Sequence, residues 1–240
     1  MGLPNCHIEQ RFQVRLSRWS VMRLLRQLGL SPQRPMWRAY QQDPVAVERW
    51  ISKEYPRIRA LAKRRKADIY FGDEAGVRSD HHAGTTWGIR GKTPIVSSTG
   101  ARFGMNLISA VSPRGQMRFM VVKGRVGARE TIQFIRRLID GQKREIFLIL
   151  DNHPAHKAKA VRRLIETLKG RLQLFFLPPY SPERNPDEYV WNDLKYHVGR
   201  SGVTGPDRLK SIVLRRLRHL SKSPKKVQDF FSTPYTAYAA

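Results

Sequence analysis

Three acids stand at the ends of expected strands or helices. Asp73 follows Ile69-Tyr70-Phe71, Asp151 follows Ile146-Phe147-Leu148-Ile149-Leu150, and Glu188 lies just beyond a proline-rich loop that runs from Leu177 to Pro186. Taken singly, each has a plain explanation: Asp73 suits a turn, Asp151 can cap the next element, and Asn185-x-x-Glu188 fits a capping box. Together they are a different matter, because three ionised carboxylates would repel by roughly 4 kcal/mol per pair at ~4 Å and an effective dielectric of ~20. Convergence therefore requires a cation. Hard oxygen ligands in a chain with a single cysteine, Cys6, suit Mg²⁺ or Mn²⁺. Two such ions ~4 Å apart can activate a water or a 3′-hydroxyl and stabilise the leaving oxygen when a phosphodiester is cut or transferred.

Positioning these acids requires strands that end together. Residues 146–150 read as a fully buried strand, and a second apolar run spans Leu172 to Leu177. Met105 to Val111 and Met117 to Val122 flank Ser112-Pro113-Arg114-Gly115, the composition of a hairpin turn. Helical spacing predicts helices over 129–140, 157–168 and 186–199, the last started by Asn185 with Pro186 at its first position. Strands first and alternating helix and strand afterwards indicate an α/β fold with a mixed sheet. Sheets of this kind place ligands at the carboxyl ends of their strands, where Asp73 and Asp151 are expected.

Upstream, Val21, Leu24, Leu25 and Leu28 share one face of a short helix that Gly29 closes, with Arg18 and Arg23 off that face. It fits either the recognition helix of a helix-turn-helix lacking its preceding helices or an ordinary surface helix. A basic connector containing Arg34 comes next, then a helix opened by Asp43-Pro44 and interrupted at Pro56, which ends on Lys63-Arg64-Arg65-Lys66. That cluster is a phosphate-contacting patch or a solvated helix end. Pro206 to Leu220 form a final amphipathic helix, and the pattern beyond Lys222 is uninformative.

Composition bounds the partner. The 240 residues carry 45 Lys and Arg against 19 Asp and Glu, a formal net charge of +26, while 40% hydrophobic residues supply a core. The surplus is spread over the whole chain rather than confined to a tail. A folded protein with a field of one sign favours a long polyanion, of which nucleic acid is the commonest, the alternative being a merely soluble basic protein. No apolar run approaches the ~18 residues of a membrane span, no targeting segment is evident, and one cysteine fits a cytoplasmic location.

Four blocks in order carry a family resemblance: Phe71-Gly72-Asp73-Glu74-Ala75-Gly76; Thr86-Trp87-x-x-Arg90-Gly91-x-Thr93-Pro94; Leu148-Ile149-Leu150-Asp151-Asn152-x-x-x-His156; and Leu177-Pro178-Pro179-Tyr180-Ser181-Pro182-Glu183-x-Asn185-Pro186-x-Glu188-x-x-Trp191. They resemble bacterial insertion-sequence transposases of the mariner-like DDE superfamily. The resemblance implies an RNase H-like core over residues 67–200, in which Asp73, Asp151 and Glu188 bind two Mg²⁺ or Mn²⁺ ions, with Asn152 and His156 supporting the second acid. It implies metal-dependent hydrolysis at element ends and strand transfer into target DNA by a homodimer assembled on double-stranded DNA. A DNA-binding relative without chemistry and a structure-selective nuclease on the same fold are the alternatives. Residues 1–40 then read as a remnant of a helix-turn-helix region, 41–66 as a linker helix, and 201–240 as a basic helix and tail. A separate chain could supply the missing N-terminal helices. Arg18, Arg23, Arg34, Arg90, Lys92, Arg184 and Lys195 are the expected DNA contacts, Arg184 standing where the family usually has leucine.

Overall fold

The computed structural model describes residues 4–32, 39–80, 90–92, 95 and 101–240. Arg34 and most of the Thr85–Pro94 block lie outside them. Two compact units are present, residues 1–38 and 39–240. In the first, helices α1 (Pro4–Phe12) and α2 (Arg18–Gln27) are joined by a short connection, and Ser17 caps α2 by accepting from the Ser20 amide at 3.1 Å. The sequence pattern reveals α2 but not the helix before it. In α2 only Val21 is buried, while Trp19 and Leu28 are each 73% exposed.

The second unit is built on a five-stranded sheet in the order β3-β2-β1-β4-β5, where β1 is Asp68–Arg78, β2 Gly104–Val111, β3 Met117–Val122, β4 Ile146–Leu150 and β5 Leu172–Phe176. The pairs β1·β2 and β2·β3 are antiparallel, and β1·β4 and β4·β5 are parallel. This is the RNase H-like mixed sheet. The β2–β3 turn forms as its residues dictate, with Gly115 at φ +83° and its face against Pro224, where a Cβ would stand 2.6 Å from a carbonyl oxygen.

β1 differs from expectation in a way that matters. It does not end at Gly72 but continues to Arg78, paired along its whole second half with β2. β4 stops at Leu150, and its pairing with β1 reaches only Phe71 opposite Ile149. From Gly72 onward the β4-side edge of β1 is therefore free for other groups, and two more residues of register set Asp73 beside Asp151.

Helices cover both faces. On one lie α5 (Ala128–Ile139) and α6 (Lys159–Thr167), closing over Tyr70, Leu148, Ile135 and Leu138. On the other lie α4 (Tyr55–Arg65), α7 (Glu188–Gly199), α8 (Pro206–Ser221) and α9 (Pro224–Asp229), around Phe71, Phe147, Ile149, Trp50 and Trp191. α3 (Pro44–Arg49), capped by Asp43, reaches α4 through a wide π-helical turn, Trp50–Glu54, so Pro56 enters without breaking the helical path. Residues 41–66 and 201–240, expected as linker and tail, share the compact unit with the sheet.

The last residues are core. Phe231 meets Phe71 with ring centroids 5.9 Å apart, Tyr238 meets Tyr55 at 5.0 Å, and the Tyr55 hydroxyl donates to the Ala239 carbonyl at 3.1 Å. None of this is periodic, so the pattern after Lys222 gives no sign of it.

Candidate active site

Alternation along β1 sends Asp73 and Glu74 to opposite faces of the sheet. Asp73 turns toward α7, where the Trp191 indole N–H donates to its Oδ2 at 3.1 Å, so this buried aromatic also holds an acid. Glu74 turns to the other face and meets His156 in the 3-10 turn Pro154–Lys157. Asp151, at the exit of β4, stands between the two. Its Oδ1 lies 2.9 Å from His156 Nδ1 and accepts from the His153 amide at 2.9 Å.

Glu188 opens α7, but no capping box forms. Asn185 instead makes a turn, its Oδ1 accepting from the Asp187 amide at 3.1 Å while its Nδ2 donates to the Gly72 carbonyl at 3.1 Å. That second bond uses the free edge of β1 to bring the start of α7 against Asp73. Gly72 eases that approach, since a Cβ would sit 3.1 Å from the Ser109 carbonyl oxygen and 2.9 Å from the end of the Leu150 side chain, so both neighbours would have to give. Glu188 is released from helix capping and shares a hydrogen bond with Asp73.

The proline loop is also pinned. Gln42 donates to the Tyr180 carbonyl at 2.9 Å and to Glu183 Oε1 at 2.9 Å, and Asn152 Nδ2 donates to the Leu177 carbonyl at 2.5 Å. Lys157 donates to the other side of the Asn152 amide. The result is a cleft of about 460 Å³ lined by Asp73, Asp151, Asn152, His153, the loop from Leu177 to Pro182, and Glu188.

Its electrostatics are divided. Burial and the neighbouring charges of Glu188 and Glu74 push the Asp73 carboxyl well above the usual range. Burial also raises Glu188, against the lowering field of Lys195. Beneath them Asp187 is fully buried, and burial with the charge of Asp73 raises it as well, while Ser109 donates to its Oδ2 at 2.7 Å. Asp151 goes the other way: burial would raise it, but the hydrogen bonds of His156 and His153 win and lower it. Burial likewise works against the His156 cation, yet Asp151 and Glu74 hold it protonated up to about 10.

Carboxylates in contact, as Asp73 and Glu188 are, must share a proton or a cation. The donor set of Asp73, Asp151 and Glu188 is all oxygen and fits Mg²⁺ or Mn²⁺. Among the described residues the potential ligand atoms that converge within 4.8 Å are those of Glu74, Asp151 and His156, but His156 spends one ring nitrogen on each acid, with Nε2 3.1 Å from Glu74, which leaves no lone pair for a metal.

Of the expected DNA contacts, Arg18 and Arg23 are exposed on α2, Arg90 and Lys92 are exposed, and Lys195 lies on α7 within the field of Glu188. Arg184 is turned inward. Its guanidinium donates to the Tyr235 carbonyl at 3.2 Å and covers that ring, and its own carbonyl accepts from Tyr238 at 2.8 Å, so it is engaged with the C-terminal segment. The sequence does not announce the parts played by Glu74, Asp187, Ser109 and Gln42. Only Glu74 carries a signal, an acid next to Asp73 in a strand with a histidine downstream of Asp151.

A family model described as winged helix-turn helix matches residues 6–54, in line with the helix-turn-helix region expected at the N-terminus. No curated protein sequence matches. Among solved structures the chain is similar to a pre-cleavage Mos1 transpososome (17% identity, TM-score 0.68, covering 100% of this chain and 75% of that one). It is similar to the Mos1 mariner paired end complex with Mn (16% identity, TM-score 0.66, covering 97% and 73%) and to the catalytic domain of Mos1 mariner transposase (16% identity, TM-score 0.55, covering 85% and 98%). At these identities the likeness establishes a common fold. The family model for DDE superfamily endonuclease matches residues 68–207, more than half of the chain and all three acids, and the chain belongs to that family.

Proposed function

We propose that the protein is a DNA transposase that hydrolyses phosphodiesters at the ends of an insertion element and joins the freed 3′-hydroxyls to target DNA. The observation that carries this reading is the meeting of Asp73 and Glu188 in contact, with Asp151 beside them, in a cleft of a strongly basic DDE-family chain. Asp73, Asp151 and Glu188 would hold two divalent ions, which supply an activated oxygen nucleophile and charge stabilisation at phosphorus. The chain's own residues arrange this. Trp191 fixes Asp73, Asn185 fixes the start of α7, and His156 fixes Asp151 through Oδ1. Asn152 ties the exit of β4 to the proline loop, which lines the cleft.

The N-terminal winged helix-turn helix match makes residues 6–54 the first candidate for recognition of element ends, with Arg18 and Arg23 as phosphate contacts. The mariner relatives are described as paired end complexes, one of them with Mn. By analogy this chain would work as a homodimer on two DNA ends. Among the described residues no helix is long and apolar enough to cross a membrane; a cytoplasmic protein meeting its DNA directly fits the proposal.

The test is strand transfer. A pre-cleaved duplex carrying the element's terminal repeat is incubated with a supercoiled plasmid and Mn²⁺ or Mg²⁺, beside Asp151→Ala. Metal-dependent joining by the parent alone is expected. DNA binding without joining, in the presence of an intact N-terminal region, would refute the proposal.

A further inference from the structure

Beyond the acids, β1 runs on into a second concavity. Gly76 to Arg78, Gly104 to Asn106 at the start of β2, and Lys123 and Gly124 after β3 form its floor, while Lys195 of α7 and Lys210 of α8 form a wall; its volume is about 870 Å³. Every charged lining residue is a cation. Arg78 is tied to Asp80 at 3.0 Å, but Lys123, Lys195 and Lys210 have no ion-pair partner among the described residues. Gly76, Gly104 and Gly124 leave backbone uncovered on the floor, which suits close approach of a phosphate chain.

The groove is continuous with the candidate active site through two elements. β1 gives Asp73 and Glu74 to the cleft and Gly76 to Arg78 to the groove. α7 gives Glu188 to the cleft and, seven residues on and on the same face, Lys195 to the groove. That spacing is about 10 Å along a helix, or roughly three base-pair steps at ~3.4 Å each. Lys195 already acts on Glu188 electrostatically.

We infer that this groove holds the phosphate backbone of duplex DNA adjoining the phosphodiester seated at the acids, with Lys123, Lys195 and Lys210 as its cations. The inference rests on the proposed action on DNA and names where the substrate continues past the reacting phosphate. Its cations come from three separate elements, so they form a built concavity rather than one solvated helix face.

Binding without chemistry tests it. In the full chain carrying Asp151→Ala and without divalent metal, the affinity for an element-end duplex is measured from low to moderate salt, with and without Lys123→Ala/Lys210→Ala. Each phosphate contact contributes about 0.9 to the slope of log K against log salt, so the double variant should flatten the slope by about 1.8. Arg162→Ala/Arg163→Ala, exposed on α6 in the opposite layer, should leave it unchanged. Neutral methylphosphonates placed about three steps from the cleavage position should weaken binding by the parent and not by the double variant. An unchanged slope, or an equal loss in the α6 control, overturns the groove while the transposase reading stands. Salt-independent or absent binding by the parent overturns both.

Discussion

Asp73 and Asp151 are neighbours on adjacent parallel strands, yet the two halves of the cleft are built on opposite principles. The half around Asp73 is dry and crowded with acids. Asp73 is 9% exposed, Asp187 is fully buried, and both, with Glu188, are pushed toward the protonated state. The half around Asp151 is wetter and already compensated by the His156 cation, which Glu74 supports from the other face of the sheet. The difference teaches where a divalent cation does its electrostatic work. It is needed to relieve the dry half, whereas the compensated half offers a ligand that is ionised beforehand.

The largest effect should come from removing either acid. Asp73→Ala or Asp151→Ala should lower metal-dependent cleavage by more than about 10³-fold, because each would withdraw a metal ligand and several kcal/mol of charge stabilisation; gel assays of nicking, with DNA binding measured in parallel, check this. Equal residual activity in both would show that the halves cooperate rather than differ in importance.

His156→Ala should cost about 10–100-fold, the scale of an outer-shell partner, and the loss should appear as a higher Mn²⁺ requirement with DNA affinity unchanged. If DNA affinity fell instead, the compensated half would be a DNA contact.

Stability of the metal-free protein should divide the halves by sign. At neutral pH, Asp73→Asn removes a buried charge that its surroundings oppose and should raise the urea midpoint. Asp151→Asn removes an ionised partner of His156 and should lower it, by no more than about 1 kcal/mol because the side chain is half-exposed. Like signs would erase the contrast. The smallest effect belongs to Asp187→Asn, which keeps an acceptor for Ser109 and should change stability by under about 1 kcal/mol, while Asp187→Ala strands that hydroxyl and should cost about 1–3 kcal/mol.

Asp73 and Asp151 are legible in the sequence because apolar runs that stop near a carboxylate stand out locally, and Glu188 because a proline-rich loop delivers it to a helix start. So is the sheet, since β4 and the β2–β3 hairpin are written in short contiguous patterns. The division between the halves is not. Glu74 reaches His156, Ser109 reaches Asp187 and Asn185 reaches Gly72 across separations that no local period encodes. The inward placement of Arg184 is hidden for the same reason: its partner, Tyr235, lies in a segment whose burial comes from single aromatic contacts rather than from a repeating stripe.

That segment has a consequence for how the molecule comes into being. Phe231 and Tyr238 pack on Phe71, two residues before the first acid, and Tyr238 and Thr233 hold the loop and helix that present Glu188. Synthesis proceeds from the N-terminus, and domains fold as units during it. Residues up to Ala239 must therefore have been made before the acids are secured in one place. A nascent chain can fold its first helices and meet DNA while still unable to cut it.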